Sequence, residues 1–204
     1  MLRYFFNRIF NATVSLSILL AMSTVGSAFA GDNEIKFELT DNPGRWFDRG
    51  VAVAGNRSIA IATPGVRVKF SGNSYTVHTR TSLIYPTGAA NMPFNTEPTK
   101  GGDEVVLNTP GLYVFTCSIH PYMFGAVIVD NPNTSGLDLG SSISLINGIT
   151  VPTSSDLATR LLRTFFIATN PANWQNYASS TPWHINYPNV DVRVDIGVVN
   201  LPQV

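Results

Sequence analysis

Apolar and polar residues alternate in short runs through the part of the chain before Asp130, and turn residues separate the runs. Residues 59–61 and 66–70 alternate on either side of a Pro64–Gly65 pair, which predicts two strands joined by a turn. Further strands are predicted at 75–81, 104–107, 112–116 and 124–129. Many short strands with turn residues between them predict an antiparallel sandwich or barrel.

The run at 112–116 has a consequence for the residue that follows it. Side chains alternate along a strand, so Tyr113, Phe115 and Cys117 share one face. We expect that face to be the core side, because it carries two aromatic rings. Residues 124–129 then return antiparallel, which places 117–123 at the tip of a hairpin.

The pattern changes after Asp130. Residues 131–136 have turn and linker composition, and a stretch containing Gly and Ser continues to Gly148. A helix is predicted to open at Thr153, with Asp156 as a partner resembling a capping box. Its apolar stripe is Leu157, Leu161, Leu162, Phe165 and Phe166.

Near the C-terminus, apolar residues alternate with polar ones over 190–198, which predicts a late strand that extends an existing sheet edge. We expect 131–204 to be an extension that packs on or beside the sandwich. The helix stripe leaves a second possibility, a docking face for another protein.

The first thirty residues have the pattern of a Sec-type signal peptide. Arg3 and Arg8 precede a short apolar run, and Ala28-Phe29-Ala30 provides a cleavage site. No other stretch approaches the ~20 apolar residues that a membrane-spanning helix needs. We therefore expect 1–30 to be removed, 31–130 to form the main domain, and the protein to be periplasmic or otherwise extracytoplasmic. An uncleaved N-terminal anchor is the alternative.

Composition, charge and the absence of common motifs argue against several classes of function. The full chain has 13 basic and 13 acidic residues. Loss of 1–30 would remove two Arg and leave 11 basic against 13 acidic residues, a formal net charge of −2. This balance argues against binding to nucleic acid or to anionic membranes. The chain also has no P-loop, dinucleotide fingerprint or Gly-x-Ser-x-Gly motif.

The candidate chemistry lies in the segment Cys117-Ser-Ile-His120-Pro-Tyr-Met123, which carries the only cysteine of the chain. A thiolate, an imidazole and a thioether at this spacing are the ligands of a copper electron-transfer centre, which needs one further His. His78 and His184 are the two available, and His78 is the better candidate because it lies among the predicted strands. A thiol hydrolase and a zinc site fit less well, because Met is a poor zinc ligand.

These residues carry a family resemblance. The segment 109–129 resembles the ligand hairpin of small cupredoxins, and its Cys-x2-His-x2-Met loop is most similar to the amicyanin and plastocyanin type. The resemblance covers 58–130 well, 31–57 vaguely and 131–204 not at all. It implies an all-β Greek-key cupredoxin sandwich, here followed by an extension with one helix and a late strand. His78 also precedes Cys117 by 39 residues, a familiar separation in that branch.

The resemblance also implies roles for individual residues. One copper ion per chain, cycling between Cu(II) and Cu(I), would have His78, Cys117 and His120 as equatorial ligands and Met123 as the axial ligand. Many cupredoxins have Asn after the upstream His, whereas this chain has Thr79, whose hydroxyl is expected to substitute in part. Thr79, Thr116 and Ser118 are the expected hydrogen-bonding neighbours of the sulfur. The expected site of electron entry and docking consists of His120, Pro121, Tyr122, Met92 and Phe94. Met92 is also an alternative soft ligand, although packing is its favoured role.

The resulting hypothesis is an exported electron carrier that is not an enzyme and exchanges single electrons with a protein donor and a protein acceptor. One alternative is a copper carrier that delivers the metal to an exported copper enzyme. Another is a copper-bearing subunit of a larger redox complex, anchored by 131–204.

Overall fold

The computed structural model describes residues 32–42, 45–52, 56–72, 75–170, 173 and 187–203. The predicted signal peptide, together with its expected cleavage site at Ala30, and the alternative ligand His184 lie outside these residues. The described part contains one 13-residue helix, α1, and twelve strands. They are β1 (Asp32–Leu39), β2 (Phe47–Asp48), β3 (Ile59–Gly72), β4 (Thr81–Pro86), β5 (Asp103–Leu107), β6 (Gly111–Thr116), β7 (Phe124–Val129), β8 (Leu137–Asp138), β9 (Ser142–Leu145), β10 (Thr150–Pro152), α1 (Asp156–Ala168), β11 (Val190–Val194) and β12 (Gly197–Leu201).

Strand β3 joins the two layers of a β-sandwich. Its first residues pair with β7, and its second half pairs with β5 and β1. The turn predicted at Pro64–Gly65 is wrong, because the strand continues through it. Gly65 has φ +91°, a conformation that glycine adopts without steric cost, so the chain bends there without ending the strand.

The core of the sandwich lies between these two layers. Phe37 and Phe70, from β1 and β3, share one buried cluster with Phe115 and Val127, from β6 and β7. The rings of Phe70 and Phe115 meet edge to face, with centroids 5.3 Å apart. Cys117 belongs to the same cluster, which confirms the core-side direction expected from strand alternation.

Strand β6 is buried on both faces along its whole length. Tyr113 and Phe115 face the sandwich core, whereas Leu112 and Val114 belong to a second apolar cluster. That cluster also contains Leu162 of α1 and residues of β8, β9, β11 and β12. The chain after Asp130 therefore covers the outer face of β6 with apolar side chains.

Residues 137–145, predicted as a continuation of the linker, form β8 and β9. Strand β9 pairs antiparallel with β4, so it belongs to the large sheet. The sequence there is Ser-Ile-Ser-Leu, and Ile143 is fully buried in the second cluster. Burial of a side chain of this size contributes about 1.5–3 kcal/mol, enough to select a strand over a loop.

The predicted helix is confirmed, but its start is not. It begins at Asp156, after Ser155, and no side-chain hydrogen bond caps it. Thr153 is three residues too early and has another role, because its hydroxyl accepts a hydrogen bond from Asp195 N–H at 2.9 Å. Ala158, Leu162, Phe165 and Phe166 are the buried residues of the helix, and Leu157 is 36% exposed.

The single late strand predicted at 190–198 is also wrong. The chain forms a hairpin of β11 and β12, with a turn at Asp195 and Ile196, and Ile196 is 78% exposed. The hairpin pairs with β8 in a separate three-stranded sheet, not with an edge of the large sheet. The turn is favoured because Gly197 adopts φ +134° and the Asp195 carboxylate accepts hydrogen bonds from Ser154.

Among the described residues, no helix is both long enough and apolar enough to span a membrane.

Candidate metal centre

Three candidate ligands meet at one end of the sandwich. Nδ1 of His78 lies 3.2 Å from Nδ1 of His120, and Cys117 Sγ lies 3.7 Å from the same His120 nitrogen. One ligand atom from each of the three residues can be chosen so that all lie within 4.8 Å of one another. His78 is 1% exposed and Cys117 is fully buried. The structure thus brings the predicted ligand His78 next to Cys117 and His120, although it lies about forty residues before them in the sequence.

Backbone hydrogen bonds within the loop between β6 and β7 hold it in a compact conformation. His120 N–H donates to Cys117 O at 3.1 Å, and Met123 N–H donates to His120 O at 2.8 Å. Cys117 N–H closes the loop by donating to Met123 O at 3.2 Å. The Thr116 hydroxyl also donates to Met123 O, at 2.9 Å. Thr116 therefore fixes the backbone of the loop, and Met123 is 1% exposed within the cluster that contains Cys117.

His78 is held by a separate segment. The predicted strand at 75–81 is wrong, because β4 begins only at Thr81. His78 instead makes an isolated two-bond bridge to Thr99, with N···O distances of 2.9 and 3.0 Å. The Arg80 guanidinium donates to the His78 carbonyl at 2.9 Å. These contacts position the backbone of His78 without a regular strand.

Thr79 links the two ligand-bearing segments. Its backbone N–H points at Cys117 Sγ at 3.4 Å, and its hydroxyl lies 3.9 Å from the same sulfur. Ser118 N–H donates to the Thr79 hydroxyl at 2.7 Å, and the two hydroxyl oxygens are 3.0 Å apart. Thr79 thus contacts the sulfur directly, whereas Ser118 acts through Thr79.

The electrostatics of the pocket suit a neutral imidazole. Burial lowers the pKa of His78, and nearby His120 and Arg80 lower it further, while Asp41 opposes them. Neutral His78 has a free lone pair at neutral pH, which is the form that binds a metal.

The donor set fits a single metal ion. Metal bonds to histidine nitrogen are about 2.0–2.1 Å and bonds to thiolate sulfur about 2.3 Å, as zinc sites show. Separations of 3.2 and 3.7 Å are shorter than the sums of two such bonds, so one ion can contact both atoms of each pair. Two imidazoles, one thiolate and a nearby thioether are the ligand types that copper prefers. The residues present therefore fit copper.

Exposed apolar side chains lie near His120, which is itself partly exposed. Ile119 is 47% exposed and Tyr122 is 60% exposed, and the rings of His120 and Tyr122 are 5.9 Å apart. Pro121 is also exposed. Ile119, Pro121 and Tyr122 thus give the surface beside His120 an apolar character.

Met92 and Phe94 are partly buried against the sandwich core. The Phe94 ring lies 6.1 Å from Phe70 and 6.4 Å from Phe115, and Met92 Sδ accepts a hydrogen bond from the Ser82 hydroxyl at 3.2 Å. The packing role favoured for Met92 is therefore observed. A part for these two residues in docking stays a prediction.

Sequence reasoning missed two charged residues beside the site. Arg80 is fully buried, lies 3.1 Å from Asp103 and donates to the Thr99 hydroxyl at 2.6 Å. Asp41 approaches His78 from the end of β1. The only available signal for Arg80 was its position two residues after the candidate ligand, and none existed for Asp41, which lies 37 residues away from His78.

No protein-family model matches the chain, and no curated protein matches it. Solved structures do. A purple cupredoxin from Nitrosopumilus maritimus is 22% identical, with 48% of this chain and 100% of that chain covered and a TM-score of 0.32. A reduced variant of amicyanin is 15% identical, with 50% and 88% covered and a TM-score of 0.35.

These structural neighbours are cupredoxins. A copper-containing nitrite reductase from Thermus scotoductus is 25% identical, with 37% of this chain and 20% of that chain covered and a TM-score of 0.29. Each likeness extends over half of this chain or less, and every TM-score is below 0.5. None of them bears on the function of this chain, which follows from its own site.

Proposed function

We propose that this protein is a cupredoxin that binds one copper ion and transfers single electrons between protein partners. The observation that carries the proposal is the meeting of His78 Nδ1, His120 Nδ1 and Cys117 Sγ within a pocket that is closed to water on the His78 and Cys117 sides. Met123 is the proposed fourth ligand, since backbone hydrogen bonds to Cys117 and His120 hold it in the same loop. Bound copper would supply a one-electron couple between Cu(II) and Cu(I).

The protein's own residues would keep the geometry unchanged between the two oxidation states. The loop is fixed by its backbone hydrogen bonds, and His78 by its bridge to Thr99. Thr79 directs a backbone N–H at the sulfur, a contact of the type that tunes metal centres. A donor set that barely moves allows fast electron exchange, and buried ligands exclude competing water.

The partly exposed edge of His120 is the proposed point of electron entry. Ile119, Pro121 and Tyr122 surround it with apolar surface, which suits brief association with another protein. The same proposal includes export directed by residues 1–30, an extracytoplasmic location and a division of the chain into two parts after Asp130. It also includes the absence of catalysis, because a fully ligated metal offers no open position for a substrate.

The test is a copper titration of the purified protein. One equivalent should give an intense visible thiolate-to-copper band, and Cys117→Ser should abolish it. Ser154→Ala, a change in the C-terminal part of the chain, is the matched control and should keep the band. A colourless protein that retains stoichiometric zinc would overturn the assignment. Rapid loss of copper to a chelator, together with slow electron exchange, would indicate a copper carrier instead.

A further inference from the structure

The second ring nitrogen of His78 is engaged in a short relay. Nε2 lies 3.0 Å from the Thr76 hydroxyl and 3.3 Å from Asp41 Oδ1. The Thr76 hydroxyl in turn donates to Asp41 Oδ1 at 2.8 Å. The His78 ring is thus tied to a carboxylate at the end of β1, which none of the ligand-bearing segments provides.

The relay determines which nitrogen of His78 is protonated. The Thr76 hydroxyl has one hydrogen, which goes to Asp41, so its oxygen accepts a hydrogen bond from His78 Nε2–H. The proton on Nε2 leaves the lone pair on Nδ1, the nitrogen that lies 3.2 Å from His120 Nδ1. The partner of one ring nitrogen decides which nitrogen binds a metal.

We propose that Asp41, acting through Thr76 and directly, is a positioning residue of the metal centre. It holds the His78 ring with Nδ1 toward the ligand pocket and makes that nitrogen a stronger electron donor. This inference rests on the proposed function and adds a carboxylate–histidine–metal arrangement to it. A carboxylate behind a histidine ligand fixes the ring orientation and raises ligand basicity.

Local packing alone does not require the carboxylate. His78 is 1% exposed, so Nε2 needs a partner, but the Thr76 hydroxyl already provides one at 3.0 Å. The Asp41 side chain is 47% exposed and would be fully hydrated if it turned away. On the other side of His78, buried Arg80 donates to its backbone carbonyl. The histidine therefore lies between a fixed cation and a carboxylate whose charge favours a more positive metal.

The size of the effect follows from the exposure of Asp41. Loss of such a partner typically weakens metal binding about 10–100-fold. Because solvent screens a half-exposed carboxylate, we expect Asp41→Asn to weaken Cu(II) binding about tenfold, with a much smaller effect on Cu(I). If the affinity for Cu(II) falls tenfold relative to the affinity for Cu(I), the reduction potential rises by about 59 mV for this one-electron couple.

The experiment compares Asp41→Asn with Glu38→Gln in the full protein. Glu38 lies three residues away on β1, so its change removes the same charge without touching the relay. The potential of each copper-loaded protein is measured by voltammetry, and Asp41→Asn should raise it by clearly more than Glu38→Gln. Equal shifts in the two variants would overturn the proposal, because a general charge effect would then account for both. Asp41→Glu should recover part of the potential.

A second measurement needs no copper. Nitrogen NMR of the His78 ring in the metal-free protein should show a single tautomer with the proton on Nε2, and Asp41→Asn should give a mixture. An unchanged tautomer in that variant would overturn the proposal. A protein that fails to bind copper but shows the expected tautomer change would refute the proposed function and leave the relay intact.

Discussion

The two faces of β6 serve different purposes. The face that carries Tyr113 and Phe115 continues directly into Cys117, so its packing sets the position of the sulfur. The opposite face, with Leu112 and Val114, belongs to the second apolar cluster, to which the chain after Asp130 contributes Leu162 and other side chains. The inner face leads to the candidate ligand Cys117, whereas the outer face packs against a cluster that contains none of the candidate ligands. Stability and site chemistry should therefore respond separately to changes on the two faces.

The largest expected effect is on the outer face. Leu162 is fully buried against the second cluster, so Leu162→Ala should lower the free energy of unfolding by about 2–5 kcal/mol. Leu157→Ala, in the same helix at a 36% exposed position, should cost far less. Urea denaturation of both variants measures the difference. A changed copper spectrum in folded Leu162→Ala would show that the two faces are not independent.

Alkaline pH should act on the inner face. Burial raises the pKa of Tyr113 to about 12, from an ordinary value near 10. The unfolded chain loses this proton first, so stability is complete below pH 10 and falls as pH rises toward 12. The loss should reach about 2–3 kcal/mol above pH 12.

Urea midpoints at pH 9 and pH 11 measure this trend. Tyr113→Phe should lose less stability between the two values than the natural chain does. It also loses the hydrogen bond to Thr109 O, so its stability at pH 9 should be lower by about 1 kcal/mol. An identical pH trend in the two proteins would contradict the assignment to Tyr113.

The buried cation at the site should matter for both stability and metal binding. Arg80→Met leaves Asp103 and the His78 carbonyl without this donor. Asp103 is 29% exposed and regains some hydration, so we expect a loss of about 1–3 kcal/mol together with weaker copper binding. Urea denaturation and a copper competition assay provide the two values. Arg160→Met, at an exposed position on α1, is the control and should change neither.

The smallest expected effect concerns the hydroxyl of Thr79. Thr79→Ala removes the acceptor for Ser118 N–H and a weak contact to the sulfur. We expect a loss of about 0.5–1.5 kcal/mol and a slightly lower reduction potential, because donors to a thiolate favour Cu(I). Thr79→Ser keeps the hydroxyl and should recover both values. Failure of that rescue would indicate that the methyl group, and not the hydrogen bond, is the important part.

Local sequence patterns determined the elements whose contacts are local. Strand β7 has the predicted limits, Phe124–Val129, and the apolar stripe of α1 identified a real helix. The loop from Cys117 to Met123 was recognisable because its three candidate ligands are close in the sequence. A hairpin brings such residues together whatever the rest of the fold does.

Only the tertiary structure decided the features that depend on distant partners. The strand continues through Gly65 because β7 pairs with its first residues and β5 pairs with its second half. The late hairpin pairs with β8, more than fifty residues earlier, and no periodicity in 190–198 encodes that partner. Asp41 reaches His78 because β1 lies beside β3. Alternation of apolar residues specifies which face is buried, but the element that covers the face, and the charge that meets a ligand there, arise from packing of the whole chain.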